Sequence, residues 1–288
     1  MSRAGIVIAP SFRRGQSLRM GSSRATGTAR QRHRPNLRRA PRVQPVVIAP
    51  SFDAARHMTT MINVDGISKA FTLHNQGGVR LPVFNNVSFK VEAGEALVLA
   101  GPSGIGKSSL LRLLYGNYRP TAGRIEINHS GRLLDIVSAT PRRVLEVRRR
   151  TLGFVSQFLR VIPRVSTIDI VRDPLLARGV DGATATKRAS DILARLNLPE
   201  RLWQLAPATF SGGEQQRVNI ARSFVEPAPI LLIDEPTASL DTANRDVVVE
   251  LIAEARKQGS TIVGIFHDDA VRARVATRHL AMSDFKSS

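Results

Sequence analysis

The sequence has no cysteine among its 288 residues. A disulfide framework, a thiolate metal site and a cysteine nucleophile are therefore excluded, and a reducing compartment suits the chain. Long apolar runs are missing too: Ala96 to Ala100 and Pro229 to Ile233 are far shorter than the roughly 18 to 20 residues that cross a bilayer. With 42% hydrophobic residues, we expect a globular cytoplasmic protein that reaches a membrane only through a partner.

Acidic residues are almost absent from residues 1–57. This segment carries twelve arginines and Asp53 alone, so it accounts for +11 of the net charge of +19 and leaves +8 for residues 58–288. It is rich in Arg, Ser, Pro, Gly and Ala without periodicity, which predicts a disordered extension. Three origins stay open: a basic arm for nucleic acid or an anionic surface, a transit peptide, or translation upstream of a start at Met58 or Met61.

A glycine-rich stretch follows an apolar strand pattern that begins at Glu95 and precedes apolar residues at helical spacing. This strand, loop and helix order is the required context of a P-loop, whose backbone N–H groups surround the phosphates of a nucleotide. We expect Lys107 to reach the β- and γ-phosphates and the Ser108 hydroxyl to bind Mg²⁺. The predicted nucleotide-binding residues of this loop are Gly101, Pro102, Ser103, Gly104, Ile105, Gly106, Lys107, Ser108 and Ser109.

Two carboxylates follow a second apolar run. Pro229 to Ile233 is typical of a buried parallel strand, and it ends in Asp234-Glu235. Side chains at the carboxyl end of such a strand lie in the crevice where open α/β sheets bind ligands. We therefore expect Asp234 to hold Mg²⁺ and Glu235 to polarise the attacking water.

A third motif narrows the class of P-loop protein. The stretch from Ser211 to Arg217 reads SGGEQQR and resembles the signature motif of ABC ATPases. Ser211 and Glu214 also fit a capping box at the start of a helix, and a helix N-terminus with glycines is itself an anion site. The resemblance implies a head-to-tail dimer, with the same or a different ABC subunit. Ser211, Gly212 and Gly213 would then contact the ATP held by the opposite subunit.

The resemblance to ABC ATPases extends to four further residues. It implies that Gln157 contacts Mg²⁺ and the attacking water, that Asp241 of Ser239-Leu240-Asp241 belongs to the D-loop, and that His267 is the switch histidine. Phe71 occupies the place where the family stacks an aromatic ring on adenine, although a core phenylalanine is the alternative. The implied cofactors are ATP and Mg²⁺. The catalytic set is Glu235, His267 and Gln157, and the metal set is Ser108, Gln157 and Asp234.

Three segments suggest a particular branch of the family. Gln157 to Arg164, Arg201 to Pro207 and Gly264 to Asp268 resemble the PhnL-type ATPases of the bacterial carbon-phosphorus lyase system. That resemblance implies partnership with the lyase core subunits and a part in making ribose 1-phosphonate 5-triphosphate from ATP and an alkylphosphonate. The alternative is the ATP-binding subunit of an ABC exporter of the lipoprotein-release type, which also has a long loop like His74 to Pro82.

Nucleic acid is not an expected partner. ABC proteins of the chromosome-maintenance kind split their two nucleotide motifs with a long coiled coil, whereas 126 residues without sustained heptads lie between Lys107 and Asp234. We therefore reject that class.

The predicted fold is α/β: a P-loop NTPase domain of the ABC type over residues 58–288. An antiparallel β region covers about Met61 to Val91 and is rejoined near Arg124 to Leu134. A helical insert spans about 161–208, where a partner would dock between Ser166 and Leu198. The expected helices are indicated by Thr140-Pro141, a capping residue followed by proline, and by helical spacing of Ala185, Ala189, Ile192, Leu193 and Leu196.

Overall fold

The computed structural model describes residues 59–73, 75, 77–157 and 163–286. The basic segment 1–57 lies outside the described residues, as do residues 158–162 of the loop after Gln157. The strands are β1 (Thr60–Leu73), β2 (Val79–Glu92), β3 (Ala96–Ala100), β4 (Ala122–His129), β5 (Arg132–Asp135), β6 (Leu152–Val155), β7 (Ile230–Asp234), β8 (Thr261–Ile265) and β9 (Arg278–Ala281). The helices are α1 (Lys107–Leu114), α2 (Pro141–Arg150), α3 (Thr167–Leu176), α4 (Gly182–Arg195), α5 (Gly212–Phe224), α6 (Thr242–Lys257) and α7 (Asp269–Val275).

The strands form two sheets of different kinds. One is antiparallel with the order β2-β1-β4-β5, and the other has the order β6-β7-β8-β3-β9 with every pair parallel. The expected α/β fold, with an antiparallel β region beside a parallel core, is confirmed.

The parallel sheet separates two hydrophobic cores. Because successive side chains of a strand point to opposite faces, Leu97 and Leu99 of β3 enter the core shared with α1 and the antiparallel sheet. Ala96 and Val98 of the same strand enter the core shared with α5 and α6. β3 is therefore apolar throughout, since it is covered on both faces.

The helices after Gln157 form a separate layer. Helix α4 buries its predicted apolar face, and α3 and α4 both pack against α5, which begins four residues beyond the predicted insert of 161–208. Helix α2 begins at Pro141 with Thr140 at its N-cap, as the sequence predicts. No helix in the described part of the chain is long and apolar enough to span a membrane.

The motifs collect at one edge because the strands that precede them are parallel neighbours. β3 leads into the glycine-rich loop, β7 ends at Asp234, β8 precedes His267 and β6 precedes Gln157. Residues that follow the carboxyl ends of parallel strands share one crevice. The fold thereby assembles groups that lie as much as 160 positions apart in sequence, from Lys107 to His267.

Candidate active site

The glycine-rich loop adopts a backbone that requires glycine at several points. Gly101, Gly104 and Gly106 have φ of +138°, +80° and +100°. Gly106 is also the N-cap of α1, and a Cβ atom there would lie 2.6 Å from Cγ1 of Val83 and 2.9 Å from Cδ1 of Phe84. Left-handed residues in such loops produce concave arrays of N–H groups that bind anions. The loop therefore fits a phosphate group, with the N-terminus of α1 behind it.

Lys107 is held inside this loop. Its Nζ donates hydrogen bonds to the carbonyl oxygens of Gly101 at 2.7 Å and Pro102 at 2.8 Å, and the residue is only 8% exposed. Desolvation lowers its pKa, while the nearby carboxylates of Glu235 and Asp234 act in the opposite direction. An ammonium has three donors, so one is left to contact an anionic ligand.

Ser108 and Asp234 form a pair of oxygen donors beside the loop. The Ser108 hydroxyl donates to Oδ1 of Asp234 at 3.0 Å. Asp234 is 5% exposed, and its burial raises the pKa of its carboxyl group, a shift that the hydrogen bond from Ser108 opposes. Carboxylate and hydroxyl oxygens are ligands that Mg²⁺ prefers, and a divalent cation would offset the cost of a buried carboxylate.

Glu235 brings three strand ends together through one carboxylate. Its Oε1 lies 2.5 Å from Nε2 of His267, and its Oε2 accepts a hydrogen bond from Nε2 of Gln157 at 3.3 Å. Its backbone has a φ of +51°, and its N–H donates to the carbonyl of Ile265 at 3.1 Å. A left-handed residue other than glycine costs of order 1 to 3 kcal/mol, and such strain is concentrated at functional sites. The arrangement can accept a proton from a water molecule and orient that water.

A cleft of about 360 Å³ opens over the loop. Phe71 lines it rather than the core, with its ring edge-on to Tyr118 at 5.4 Å and Lys69 Nζ 4.6 Å from its ring centre. Val83 of β2 also lines the cleft, although no sequence motif includes it. The residues around the cleft are Phe71, Val83, Ser103, Gly104, Gly106, Lys107, Ser108, Ser109, Glu235 and His267.

Other predicted site residues lie elsewhere in the single chain. Ile105 packs against the core, and its Cγ2 would touch a Cβ placed on Gly101. Ser211, Gly212 and Gly213 stand at the start of α5, outside the lining of the cleft. The capping box predicted there is confirmed, because Ser211 Oγ accepts from the N–H of Glu214 at 3.3 Å and the Glu214 carboxylate accepts from the N–H of Ser211 at 2.8 Å.

The side chain of Asp241 forms hydrogen bonds within its own helix. It is the N-cap of α6, where its Oδ1 accepts from the N–H of Asn244 at 2.8 Å and both of its oxygens lie 3.0 Å from the Asn244 side-chain nitrogen. These hydrogen bonds lower the pKa of Asp241. The structure therefore shows it capping a helix, and its contact with a nucleotide stays a prediction.

A second cavity of about 350 Å³ shares Glu235 and His267 with the cleft. Its remaining lining residues are Thr237, Ala238, Arg245 and Asp268. Asp268 directly follows His267, the predicted switch histidine, so the sequence motif could have pointed to it. No sequence motif points to Arg245. It lines the cavity because α6 packs against the residues that begin α7, and this packing cannot be read from the sequence.

Comparison with known proteins gives consistent matches. The family model described as "ABC transporter" matches residues 84–238. The lipoprotein-releasing system ATP-binding protein LolD of Shewanella sp. (strain MR-4) is 35% identical over 225 residues, or 78% of this chain and 94% of LolD. The macrolide export ATP-binding/permease protein MacB of Sodalis glossinidius (strain morsitans) is 34% identical over 226 residues, or 78% of this chain and 33% of MacB.

The fold also resembles a solved cassette. The dimeric structure of a post-hydrolysis state of the ATP-binding cassette MJ0796, bound to ADP and Pi, superposes with a TM-score of 0.69 and 29% sequence identity. The match covers 77% of this chain and 95% of that one. Similarity therefore extends over nearly the whole of the compared cassette.

Proposed function

Because the chain belongs to the ATP-binding-cassette (ABC) family of ATPases, we propose that it is the ATP-binding subunit of an export-type membrane transporter. It hydrolyses ATP and uses Mg²⁺. The relatives that carry the transporter proposal are LolD, whose length the chain covers almost completely, and MacB. Neither name refers to phosphonates, so the expected partnership with carbon-phosphorus lyase subunits has no support from them.

The phosphates of ATP would lie in the glycine-rich loop. Lys107 is the cation of that loop. On binding, its free ammonium donor and one donor now bonded to a carbonyl would form charge-assisted hydrogen bonds to phosphate. Phe71 borders the same cleft and offers a ring face for adenine. The size of the cleft and the position of these two side chains support this binding mode.

Mg²⁺ would be held by Ser108, Asp234 and Gln157. When bound, the ion would neutralise the charge that develops on phosphate oxygens. Ser108 and Asp234 already contact each other, and Gln157 reaches the same site through Glu235. The few protein ligands agree with the preference of Mg²⁺ for one or two carboxylates together with substrate phosphates and water.

Glu235 is the proposed base that polarises the attacking water. Gln157 and His267 each contact one of its oxygens, which holds the carboxylate in a defined orientation. His267 is 53% exposed and so is able to face the γ-phosphate side of the cleft. The contact of Gln157 and His267 with the carboxylate of Glu235 is the observation that supports a complete catalytic set in the chain.

The second half of each ATP site would come from another ABC subunit. The start of α5 presents N–H groups, the positive end of a helix dipole and Gly212, beside which a Cβ would find open space. None of these groups lines the cleft of its own chain. Binding them to the ATP of a second subunit gives the head-to-tail dimer, in keeping with the dimeric structure of MJ0796.

A groove on the helical layer is the proposed docking place for the membrane subunit. It has a volume of about 360 Å³ and lies between α3, which follows the Gln157 loop, and α5, which begins at the signature motif. A partner in this groove would contact the helix that follows the Gln157 loop and the helix that begins at the signature motif. Its lining residues are Val165, Asp169, Ile170, Arg172, Asp173, Leu176 and Arg222.

The test is capture of the chain from detergent-solubilised cells. Leu176 of α3 borders the groove and is 41% exposed, while Leu133 of β5 is 46% exposed on the antiparallel sheet. We expect the wild-type chain to recover an integral membrane permease. Leu176→Glu should lose it while the ATPase rate of the isolated chain stays unchanged, and Leu133→Glu should behave as wild type.

The same capture distinguishes the lyase hypothesis. Recovery of phosphonate-degrading subunits without a permease, together with failure of a deletion strain to grow on an alkylphosphonate as sole phosphorus source, would replace the transporter proposal by the lyase one. Normal growth on alkylphosphonate and recovery of a permease would support the transporter.

A further inference from the structure

Arg245 forms hydrogen bonds to two segments of the proposed active site. It lies in the first turn of α6, and its Nε donates to the carbonyl of Leu240 in the D-loop at 2.9 Å. Its Nη1 contacts Oδ2 of Asp268, the residue after the switch histidine, at 3.1 Å. One planar guanidinium thereby spans the D-loop and the His267 segment.

Each carboxylate oxygen of Asp268 accepts at least one hydrogen bond. Oδ1 of Asp268 accepts from the N–H groups of Ala270 at 2.9 Å and Val271 at 3.2 Å, which caps α7. These hydrogen bonds lower the pKa of Asp268, and the charge of Arg245 lowers it further. Both oxygens of Asp268 are thereby engaged, while the imidazole of His267 contacts Glu235.

The D-loop also touches the signature motif. A Cβ placed on Gly213 would lie 3.0 Å from the carbonyl oxygen of Ser239, the residue before Leu240. Contacts therefore run from the signature helix through the D-loop to Arg245, then to Asp268 and the pair of His267 and Glu235. The closure of a second subunit against the signature motif could therefore be transmitted through these contacts to the carboxylate of Glu235.

We propose that Arg245 is a positioning residue for ATP hydrolysis, because it sets the D-loop relative to the His267 segment and so keeps His267 on Glu235. The inference rests on the roles of Glu235 and His267 proposed above. Arg245 touches neither of them; it acts through Asp268 and Leu240. It lines the cavity of about 350 Å³ that Glu235, His267 and Asp268 also line.

The contribution of Arg245 to stability is small. Its side chain is 37% exposed and that of Asp268 is 33% exposed, and ion pairs with this much solvent contact contribute little to folding. A loss of activity in an Arg245 variant therefore reports on the site. A second ion pair serves as the matched control: Arg274 and Asp246 also join α7 to α6, and neither lines the cavity.

The experiment compares Arg245→Ala, Arg245→Lys and Arg274→Ala. We expect Arg245→Ala to lower kcat by about tenfold or more, as a misplaced catalytic group does, with KM for ATP and the affinity for a fluorescent ATP analogue changed less than about twofold. The thermal midpoint should shift by no more than a few degrees. Lysine is a single point charge without the fork of arginine, so Arg245→Lys should recover only part of the rate.

A readout independent of turnover completes the test. In a Glu235→Gln background, the fraction of ATP-dependent dimer on size-exclusion chromatography should fall when Arg245→Ala is added and stay constant with Arg274→Ala. Equal behaviour of Arg245→Ala and Arg274→Ala, or full recovery by lysine, would overturn the two-point role of Arg245. Normal turnover of Glu235→Gln itself would instead refute the assignment of the site on which the inference rests.

Discussion

The two halves of the proposed ATP site differ in what their polar groups do within one chain. In the P-loop half, Ser108 contacts Asp234, and Glu235 contacts His267 and Gln157. In the signature half, Ser211 is engaged with Glu214 in a capping box, and Asp241 is engaged with Asn244. The polar groups of the first half form hydrogen bonds between residues that end or follow different strands. Those of the second half form hydrogen bonds within the first turns of α5 and α6.

This difference separates ligand binding from partner recognition. Desolvation lowers the pKa of Lys107 and raises that of Asp234, so it disfavours the charged form of both side chains. A ligand of opposite charge would stabilise those charged forms. Glu214 and Asp241 have lowered pKa values because hydrogen bonds stabilise their charged forms. The P-loop half therefore gains most from ATP-Mg, and the signature half is stable before any ligand or partner arrives.

The largest effect is expected from Lys107→Ala. The variant removes the only cation that the loop itself places among the phosphates, and charge-assisted hydrogen bonds contribute about 1.5 to 3 kcal/mol each. ATP affinity should fall at least about 100-fold by calorimetry, and hydrolysis should fall with it. Lys90→Ala removes an exposed lysine of β2 and should bind ATP as wild type. Unchanged affinity in Lys107→Ala would contradict the assignment of the loop.

Glu235→Gln separates binding from chemistry in the same half. The amide keeps the shape of the side chain and loses the carboxylate that polarises water, so kcat should fall by roughly 100-fold or more. ATP binding should persist, and an ATP-bound dimer should accumulate on size-exclusion chromatography. Glu200→Gln, in an exposed turn before the signature motif, is the control. Wild-type turnover in Glu235→Gln would assign the base to another residue.

The smallest effect on the single chain is expected from Ser211→Ala, which tests the signature half against the P-loop half. Loss of an N-cap should lower the free energy of unfolding by about 1 kcal/mol. Asp181→Ala, which removes the N-cap of α4, should cost a similar amount and serves as the control. ATP affinity of the single chain should be unchanged in both. Only Ser211→Ala should weaken the ATP-bound dimer formed in the Glu235→Gln background; equal dimer formation in both would place the partner contact elsewhere.

Sequence reasoning located the groups of the P-loop half because each follows a recognisable strand. Parallel strands bring their carboxyl ends to one edge, which is why Gln157, Glu235 and His267 could be expected to meet. The role of Asp241 could not be decided in this way. An aspartate before a helix is suited both to capping the helix and to a D-loop, and only the structure shows its hydrogen bonds to Asn244.

The sequence by itself determined the elements whose signals are contiguous: the glycines that the loop backbone requires, the capping box at Ser211 and the buried strands of the parallel sheet. These depend on local φ/ψ preferences and periodicity, which short stretches encode. Only the tertiary structure decided that Phe71 and Val83 border the cleft, and that Arg245 joins Leu240 to Asp268. Those contacts cross between elements far apart in the chain, so they depend on how sheets and helices pack rather than on any local pattern.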